Sequence, residues 1–457
     1  MKPSLPRGTR DFGPADVQKR NYLFTVLKRH FGLYGFAPIE TPAMEQLETL
    51  TGKYGDEGDQ LIFKILNSRL NESSEKNQVA GAFNEMLEAG KSSKLLTERA
   101  LRYDLTVPFA RFVVMNQHQL VFPFRRYQIQ PVWRADKPQK GRYREFWQCD
   151  ADIIGSESLV NELDLMALMD SAFAELQLPV TIRLNNRKIL NGLAAAAGHA
   201  DQLTDITVAI DKLDKIGVEG VVNELASKGI SPKGIDFLTP LLRFQGNQHE
   251  KIELLRSLIG KHEVGAKGIE EITYLFENAS VKHAELQFDL TLARGLNYYT
   301  GTIFEASANA GTLTSSILGG GRYDDLTGIF GLKQMSGVGI SFGIDRIYDV
   351  MEELNLFPEA ASKATATTLM FVHFDVAAQR HCLQLAAVLR AGGIACEVYP
   401  DAGKKTNKQF DYANKRQVPY VVTVGSDEMA SAVYPLKNMQ TGEQQKLTLN
   451  GILDALK

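Results

Sequence analysis

Cysteine is scarce in this chain: Cys149, Cys382 and Cys396 are the only three among 457 residues. Three thiols at such separations cannot build a disulfide framework and have no metal-ligand spacing, so a reducing, cytoplasmic compartment is expected and no structural metal. Long uncharged apolar runs able to span a membrane are missing. The first residues, MKPSLPRGTRDF, lack the apolar core of a signal peptide. Positive charge is not in excess, because 51 Lys and Arg stand against 54 Asp and Glu, for a formal net charge of −3. That balance excludes a uniformly basic nucleic-acid coat but leaves room for a local basic path. No Ser/His/Asp or Cys/His arrangement is evident, the eight histidines are scattered, and no internal repeat is seen.

What is present reads as a soluble globular protein of two or three domains, since this length exceeds what one hydrophobic core usually serves. After Gly13-Pro14, apolar residues at Leu23, Val26, Leu27, Phe31 and Tyr34 have helical spacing, with Pro14 suited to a first turn. Residues 68–94 are polar and weakly patterned and read as an excursion from the core. From about 186 to 275, alternation gives way to short segments rich in Ala, Leu and Lys and punctuated by glycines, as in an inserted helical domain. Strand signals resume at Glu285. The expected division is a core from 1–185 and 276–354, a helical insertion at 186–275, a linker at Leu356–Thr367, and a small α/β domain over 367–457. In that last domain strands and helices alternate, which predicts a mostly parallel sheet.

The richest stretch is Phe124–Gly155, where two alternating segments flank a turn of Lys, Arg, Pro and Gly, as in a long antiparallel hairpin. Alternation places Arg144, Phe146, Gln148, Asp150 and Asp152 on one face, with Trp147, Cys149, Ala151 and Ile153 suited to a core. Arg134 can join the polar face from the preceding strand. A cation, an aromatic plane, an amide and two carboxylates suit a pocket for phosphates, a base and an amino acid. In Arg102-Tyr103-Asp104-Leu105-Thr106, Asp104 and Thr106 could accept from a ligand ammonium, although a turn-forming Asp at a strand end explains the spacing as well. In LARGLNYYTGTIFE, Arg294 stands near Tyr298 and Tyr299, a fixed cation suited to carboxylate or phosphate oxygens. Two glycine-rich runs, Gly319–Asp324 and Ser336–Arg346, fit neither the dinucleotide fingerprint nor the phosphate-loop lysine motif. They permit close backbone approach to a ligand or tight helix–sheet packing. If the second run is a strand entering a helix near Gly343, Arg346 falls in the first turn, where free N–H groups already favour an anion.

Taken in order, RGTRDFGP, GFAPIETP, LRYDLTVPFAR, the hairpin WRADKPQKGRYREFWQCDADIIG, LARGLNYYTGTIFE, GGGRYDD and GVGISFGIDRI resemble the histidyl-tRNA synthetase family of class II aminoacyl-tRNA synthetases. GKKTNKQFDYANKRQVPYVVTVG is similar to that family's anticodon-binding domain, and the resemblance covers nearly the whole chain. It implies an α/β protein whose catalytic domain is an antiparallel sheet flanked by helices, with a helical insertion and a small C-terminal α/β domain. ATP and histidine would form histidyl-adenylate, and the histidyl group would pass to the histidine tRNA. The resemblance assigns Arg134 to the α-phosphate, Arg294 to the α-phosphate and carboxylate, and Arg346 to the γ-phosphate. Phe146 would stack on adenine, with Asp136 near the base or ribose and Arg142 and Arg144 near the distal phosphates. Asp104, Thr106 and Gln148 would receive the ammonium, and Asp152 one imidazole N–H, with Tyr298, Tyr299 and Tyr323 shaping the pocket. Lys137 and Gln139 in the hairpin loop, and Lys404, Lys405 and Lys408 in the basic helix, would meet tRNA. Mg2+ would accompany ATP, and a homodimer is implied, with the 15–34 helix and its following strand at the interface.

Two rivals are a catalytically silent regulatory paralogue and an uncharged-tRNA sensor. The first lacks the C-terminal domain and erodes the motifs, and the second is usually fused to a further domain. Arg294 and the whole region after 366 favour the enzyme.

Overall fold

The computed structural model describes residues 2–72, 76–89, 93–293, 298–313, 315–362 and 365–457. The chain divides into two compact units, one of Met1–Arg10 and Leu23–Leu356, the other of Asp11–Tyr22 and Phe357–Lys457. Among the described residues no helix is long and apolar enough to cross a membrane.

The first unit is built on an eight-stranded sheet. Its strands are β1 (Ala37–Pro38), β2 (Phe124–Trp133), β3 (Glu145–Ile154), β4 (Val180–Asn186), β5 (Glu285–Phe288), β6 (Thr302–Ala308), β7 (Leu318–Tyr323) and β8 (Gly337–Gly343). They lie in the order β1-β2-β3-β8-β7-β6-β4-β5. The two outermost pairings, β1 with β2 and β4 with β5, are parallel, and all those between are antiparallel.

The β2–β3 hairpin pairs Arg126 with Asp152, Gln128 with Asp150, Gln130 with Gln148 and Val132 with Phe146. Directly opposed residues of an antiparallel pair point to the same face, so these eight share one side. On the other side Cys149, Ala151 and Ile153 are fully buried. That side is covered by Leu23–Leu33 of α1 (Pro14–Leu33) and, beyond α2 (Thr106–Asn116), by α3 (Val160–Glu175). Pro14 takes the first helical position, where its missing N–H costs nothing. Phe31 stacks on Tyr127 at 5.0 Å, and Phe173 meets Phe342 at 5.5 Å. Burying each such side chain contributes about 1.5–3 kcal/mol.

Between β4 and β5 run α4 (Arg187–Ala196), α5 (Leu203–Ile210), α6 (Leu213–Ser227), α7 (Pro232–Leu242), α8 (Gln248–Ile259) and α9 (Glu263–Asn278), with no strand among them. Helices α4 and α9 approach so closely that a Cβ on Gly192 would lie 2.8 Å from Gly265 Cα. Strand β8 enters α10 (Ile344–Glu353) at Gly343, which puts Arg346 in the first turn.

The stretch read as a weakly patterned excursion carries a 14-residue helix, Lys76–Ala89. Val79 and Met86 are half-buried and Ala82 buried, a helical stripe diluted in the sequence by Gly81 and its polar neighbours.

The second unit holds β9 (Leu369–His373), β10 (Cys396–Val398), β11 (Tyr420–Val424), β12 (Tyr434–Asn438) and β13 (Gln444–Leu447), in the order β10-β9-β11-β12-β13. Helices α11 (Val376–Ala391) and α12 (Thr406–Lys415) make the crossovers of the β10-β9-β11 trio, which is parallel. The expected mostly parallel sheet is corrected at β12 and β13, which pair antiparallel. Residues 425–433 contain only the short helix Ser426–Ser431, and a parallel return takes about a dozen residues or more.

Candidate active site

A cleft of about 510 Å³ opens on the polar face of the hairpin, and Arg134, Asp136, Arg142, Phe146, Gln148, Tyr299 and Arg346 are among its lining residues. Arg134 lies just past β2, where its N–H still donates to Arg144 O at 2.9 Å. Its guanidinium sits over the rings of Tyr103 (4.2 Å) and Phe146 (5.1 Å), and its Nε donates to Tyr103 O at 3.0 Å. One edge of the cation is thus anchored while the group as a whole lines the cleft. Across the cleft, Arg346 donates from Nε to Gly141 O (2.9 Å) and from Nη1 to Ser316 O (2.6 Å). Arg142 approaches Asp136 at 3.6 Å.

Behind this wall lies a second, largely buried layer, of which Tyr54, Gln148 and Tyr299 also line the cleft. Asp104, Asp152 and Tyr323 are all at most 2% exposed. Asp104 is not on a strand. It follows the strand Arg99–Leu101 and accepts from Val107 N–H (3.2 Å) at the start of α2 and from Tyr54 OH (2.9 Å). Thr106 opens that helix, and its side chain is in hydrogen-bond contact with Tyr298. Tyr323 OH donates to Asp152 Oδ1 at 2.7 Å, and Arg126 Nη2 lies 2.7 Å from Asp152 Oδ2 and 4.0 Å from Asp150 Oδ2. Tyr298 and Tyr299 meet edge to face at 5.1 Å.

The layer is charged and buried, and several of its polar atoms lack a partner, Arg126 Nε among them. Asp104 Oδ2, Gln148 Oε1 and Asp150 Oδ1 are buried acceptors without a hydrogen-bond partner among the described residues. Leaving such atoms unpaired costs about 1–3 kcal/mol each. Burial raises the Asp104 carboxyl, against the pull of Tyr54 and Arg134. Burial likewise lifts Asp150 to about 7, opposed by Arg126 and reinforced by Asp152. Asp152 is raised by burial and held down by Arg126 and the Tyr323 hydroxyl. Burial also keeps the Tyr298, Tyr299 and Tyr323 phenols protonated far above neutral pH. Three orphaned acceptors suit a ligand that brings several N–H donors.

The glycine runs divide their work. A Cβ at Gly339 would stand 2.0 Å from Asp152 Oδ1, and one at Gly337 2.4 Å from the Tyr323 ring. Both therefore make room for side chains rather than for phosphates. Gly319 lines the cleft and has no atom within 4 Å of a Cβ placed there.

Other expected residues fall elsewhere. Arg144 is not part of the cleft wall, and its Nε donates to Asp136 O at 3.1 Å. Lys137 and Gln139 are exposed in the hairpin loop, and Lys404, Lys405 and Lys408 are exposed at and just before the start of α12. Arg294 lies outside the described residues. Two residues not singled out in the sequence belong to the second layer, Arg126 and Tyr54. Arg126 was in phase with Asp152 across the hairpin, a signal that pairing register could have exposed. Tyr54, in GKYGDEGDQ, had no pattern to reveal it.

Similarity to known proteins agrees with this geometry. The profile of the family described as histidyl-tRNA synthetase matches residues 91–347, and that of the anticodon binding domain matches residues 368–457. The histidine–tRNA ligase of Phocaeicola vulgatus is 51% identical across 100% of this chain and 99% of its own length. The chain belongs to the histidyl-tRNA synthetase family. The histidine–tRNA ligase of Christiangramia forsetii is also 51% identical, over 100% of both chains. The crystal structure of histidyl-tRNA synthetase from Nostoc sp. PCC 7120 superposes with a TM-score of 0.80 at 28% identity, covering 100% of this chain and 99% of that one. Family members are thus matched along both units.

Proposed function

We infer that the cleft carries the ligase reaction of the family: ATP and histidine form histidyl-adenylate with release of pyrophosphate, and the histidyl group then passes to the histidine tRNA with release of AMP. The observation that carries this reading is the presence of two guanidiniums, Arg134 and Arg346, lining one cleft, with the orphaned acceptors of Asp104, Gln148 and Asp150 beside them.

The carboxylate of histidine and the α-phosphate of ATP repel each other, so fixed cations do most of the work. Arg134, anchored by Tyr103 O, meets the α-phosphate as charge builds on it. Preorganised donors of this kind are each worth about 3 kcal/mol in the transition state. Arg294, the second cation of the family pattern, joins it on the α-phosphate and the carboxylate. Arg346 holds the γ-phosphate, with Arg142 near the distal phosphates and Asp136 near the base or ribose. Phe146 offers its free face to adenine. Magnesium enters with ATP as part of that substrate, held by phosphate oxygens. Among the described residues no cluster of three or more His, Cys, Asp or Glu could cage a metal ion.

Asp104, Thr106 and Gln148 take the ammonium. Asp152, fixed by Tyr323 and Arg126, accepts from an imidazole N–H in a pocket shaped by Tyr298 and Tyr299. A side chain without that N–H forgoes the bond to this charged acceptor, and polar pockets of this kind discriminate by roughly 10⁴ or more without editing. Lys137 and Gln139 face the tRNA acceptor end, and Lys404, Lys405 and Lys408 its anticodon arm.

A second copy of the chain completes the enzyme as a homodimer. Support comes from the first unit, where Met44, Met115, Val121 and Leu33 remain 51%, 71%, 83% and 73% exposed and β1 leaves a sheet edge open. The three buried free thiols suit a reducing cytoplasm.

The test is histidine-dependent exchange of pyrophosphate into ATP by the purified protein. Robust exchange with histidine and none with other amino acids is expected. Silence from folded protein would return the regulatory reading.

A further inference from the structure

Arg10 lies far from the hairpin in sequence, yet it is wound into the same corner of the first unit. Its Nη2 donates to Asp345 Oδ1 at 2.5 Å and its Nη1 to Asp349 Oδ1 at 3.2 Å. The guanidinium carbon sits 3.5 Å from the centre of the Tyr143 ring. Tyr143 belongs to the hairpin loop, lines the cleft, and donates its hydroxyl to Asp349 Oδ2 at 2.7 Å. Asp345, also in the cleft wall, uses its second oxygen to accept Trp147 N–H at 2.8 Å. One arginine thus joins two carboxylates a turn apart on α10 and a ring on the loop that faces them.

The segment before Arg10 is fastened to the same loop. Gly8 O accepts Arg144 N–H at 2.9 Å. Gly8 has φ +89°, and a Cβ there would stand 2.8 Å from Pro138 Cγ and 2.9 Å from Arg144 Cγ. Only glycine fits both that conformation and that approach. Helix α10 supplies further ties. Arg346 holds Gly141 O at 2.9 Å, and Glu353 holds Lys140 Nζ at 3.0 Å. The loop has no regular pairing beyond the contact of Gln139 with Arg142, so its place over the cleft depends on these side chains.

Electrostatics explains why the tie is a cation. Asp345 and Asp349 stand beside a cleft that receives a triphosphate, and two uncompensated carboxylates there would repel it. Arg10 neutralises them without entering the cleft, for it is not among the lining residues.

Resting on the reading of the cleft as an ATP site, we propose that Arg10, with Gly8, is a clasp that holds the hairpin loop against α10 and so positions Tyr143, Arg142 and Arg346 for ATP. Arg10 touches no substrate and acts as a positioning residue. The clasp belongs to the nucleotide side of the cleft, away from the histidine layer.

The experiment measures pyrophosphate exchange in the full chain with ATP and histidine varied separately. Arg10→Ala is expected to raise the KM for ATP about tenfold while the KM for histidine stays within roughly twofold. Arg10→Lys, which keeps the charge but loses the planar fork, should recover part of the loss. Tyr143→Phe should act in the same direction and less than additively with Arg10→Ala. If Arg10→Ala does not fold, Asp349→Asn, which preserves shape, takes its place with the same expectation. A readout independent of the reaction is trypsin cleavage after Lys140 or Arg142 in the ligand-free protein, which should be faster in Arg10→Ala than in wild type. Unchanged KM for ATP, a parallel rise in both KM values, or equal cleavage rates would overturn the clasp. Absence of wild-type exchange together with faster cleavage would overturn the ATP reading and leave the clasp standing.

Discussion

Arg126 and Asp152 face each other across the β2–β3 hairpin and meet at 2.7 Å, with no more than 3% of either side chain exposed. The same guanidinium covers Phe109 at 4.2 Å, so it is stacked and paired at once. It reaches the carboxylates of both Asp150, at 4.0 Å, and Asp152.

Removing that cation leaves two buried carboxylates uncompensated. Arg126→Met is expected to lower stability by about 3–5 kcal/mol, the usual effect of breaking a buried pair from one side. Urea unfolding followed by circular dichroism measures it. A loss under 1 kcal/mol would mean that the carboxylates find protons or other partners.

The Asp150 carboxyl carries a pH signature. Burial lifts it from the ordinary 3.8 to about 7. Between those values the folded protein holds a proton that the unfolded chain has released, so this group makes stability fall as pH rises, with no further change above about 7. Asp150→Asn should remove that slope. Unfolding midpoints of both proteins at pH 5, 6, 7 and 8 compare them, and identical slopes would count against the assignment.

Asp152→Asn exchanges a charged acceptor for an amide of the same shape. The KM for histidine in pyrophosphate exchange should rise by roughly 10²-fold or more, as for a lost charged partner, with a much smaller change in the KM for ATP. Equal effects on both substrates would place Asp152 outside imidazole recognition.

Gly339→Ala tests the same acid from its neighbour. The added methyl would stand 2.0 Å from Asp152 Oδ1, so either Asp152 swings away or β8 shifts. Overpacking of this kind typically costs about 1–3 kcal/mol. Thermal unfolding and the KM for histidine should worsen together, and normal values of both would show that the strand has room to give.

The basic patch before and along α12 is open to a salt test. Replacing Lys404, Lys405 and Lys408 by Ala should leave pyrophosphate exchange intact and weaken tRNA binding. The slope of log K against log salt should fall by up to about three, one for each lost phosphate contact. An unchanged slope would assign the three lysines to a solvated surface.

How much of this was legible in the sequence depends on the kind of order involved. The hairpin announced itself because its period of two is local, and its polar face was read correctly from Phe146 to Asp152. Arg126 was overlooked although it obeys the same period, because its partner is set by pairing register across the turn. Alternation places Arg144 on the polar face, yet it lies just before β3 begins, and its Nε turns to Asp136 O. The glycines of β7 and β8 could not be interpreted without their neighbours. Only the register of β8 on β3 shows that Gly339 is small to leave space for Asp152. In the second unit the alternation of strand and helix implied parallel strands, but the brevity of 425–433 decided the last two pairings.

The order of strands also bears on biosynthesis. β3 borders β2, made just before it, and β8, made only after all six helices between β4 and β5. While the ribosome has delivered the chain only as far as β4, one flank of β3 presents unpaired amides and carbonyls, and Asp152 has Arg126 beside it but not Tyr323. Pairings so distant along the chain form slowly, and an open flank invites association with other nascent chains. Newly made copies should therefore depend on chaperone shelter until residue 343 has emerged, and dilute refolding should outperform concentrated refolding.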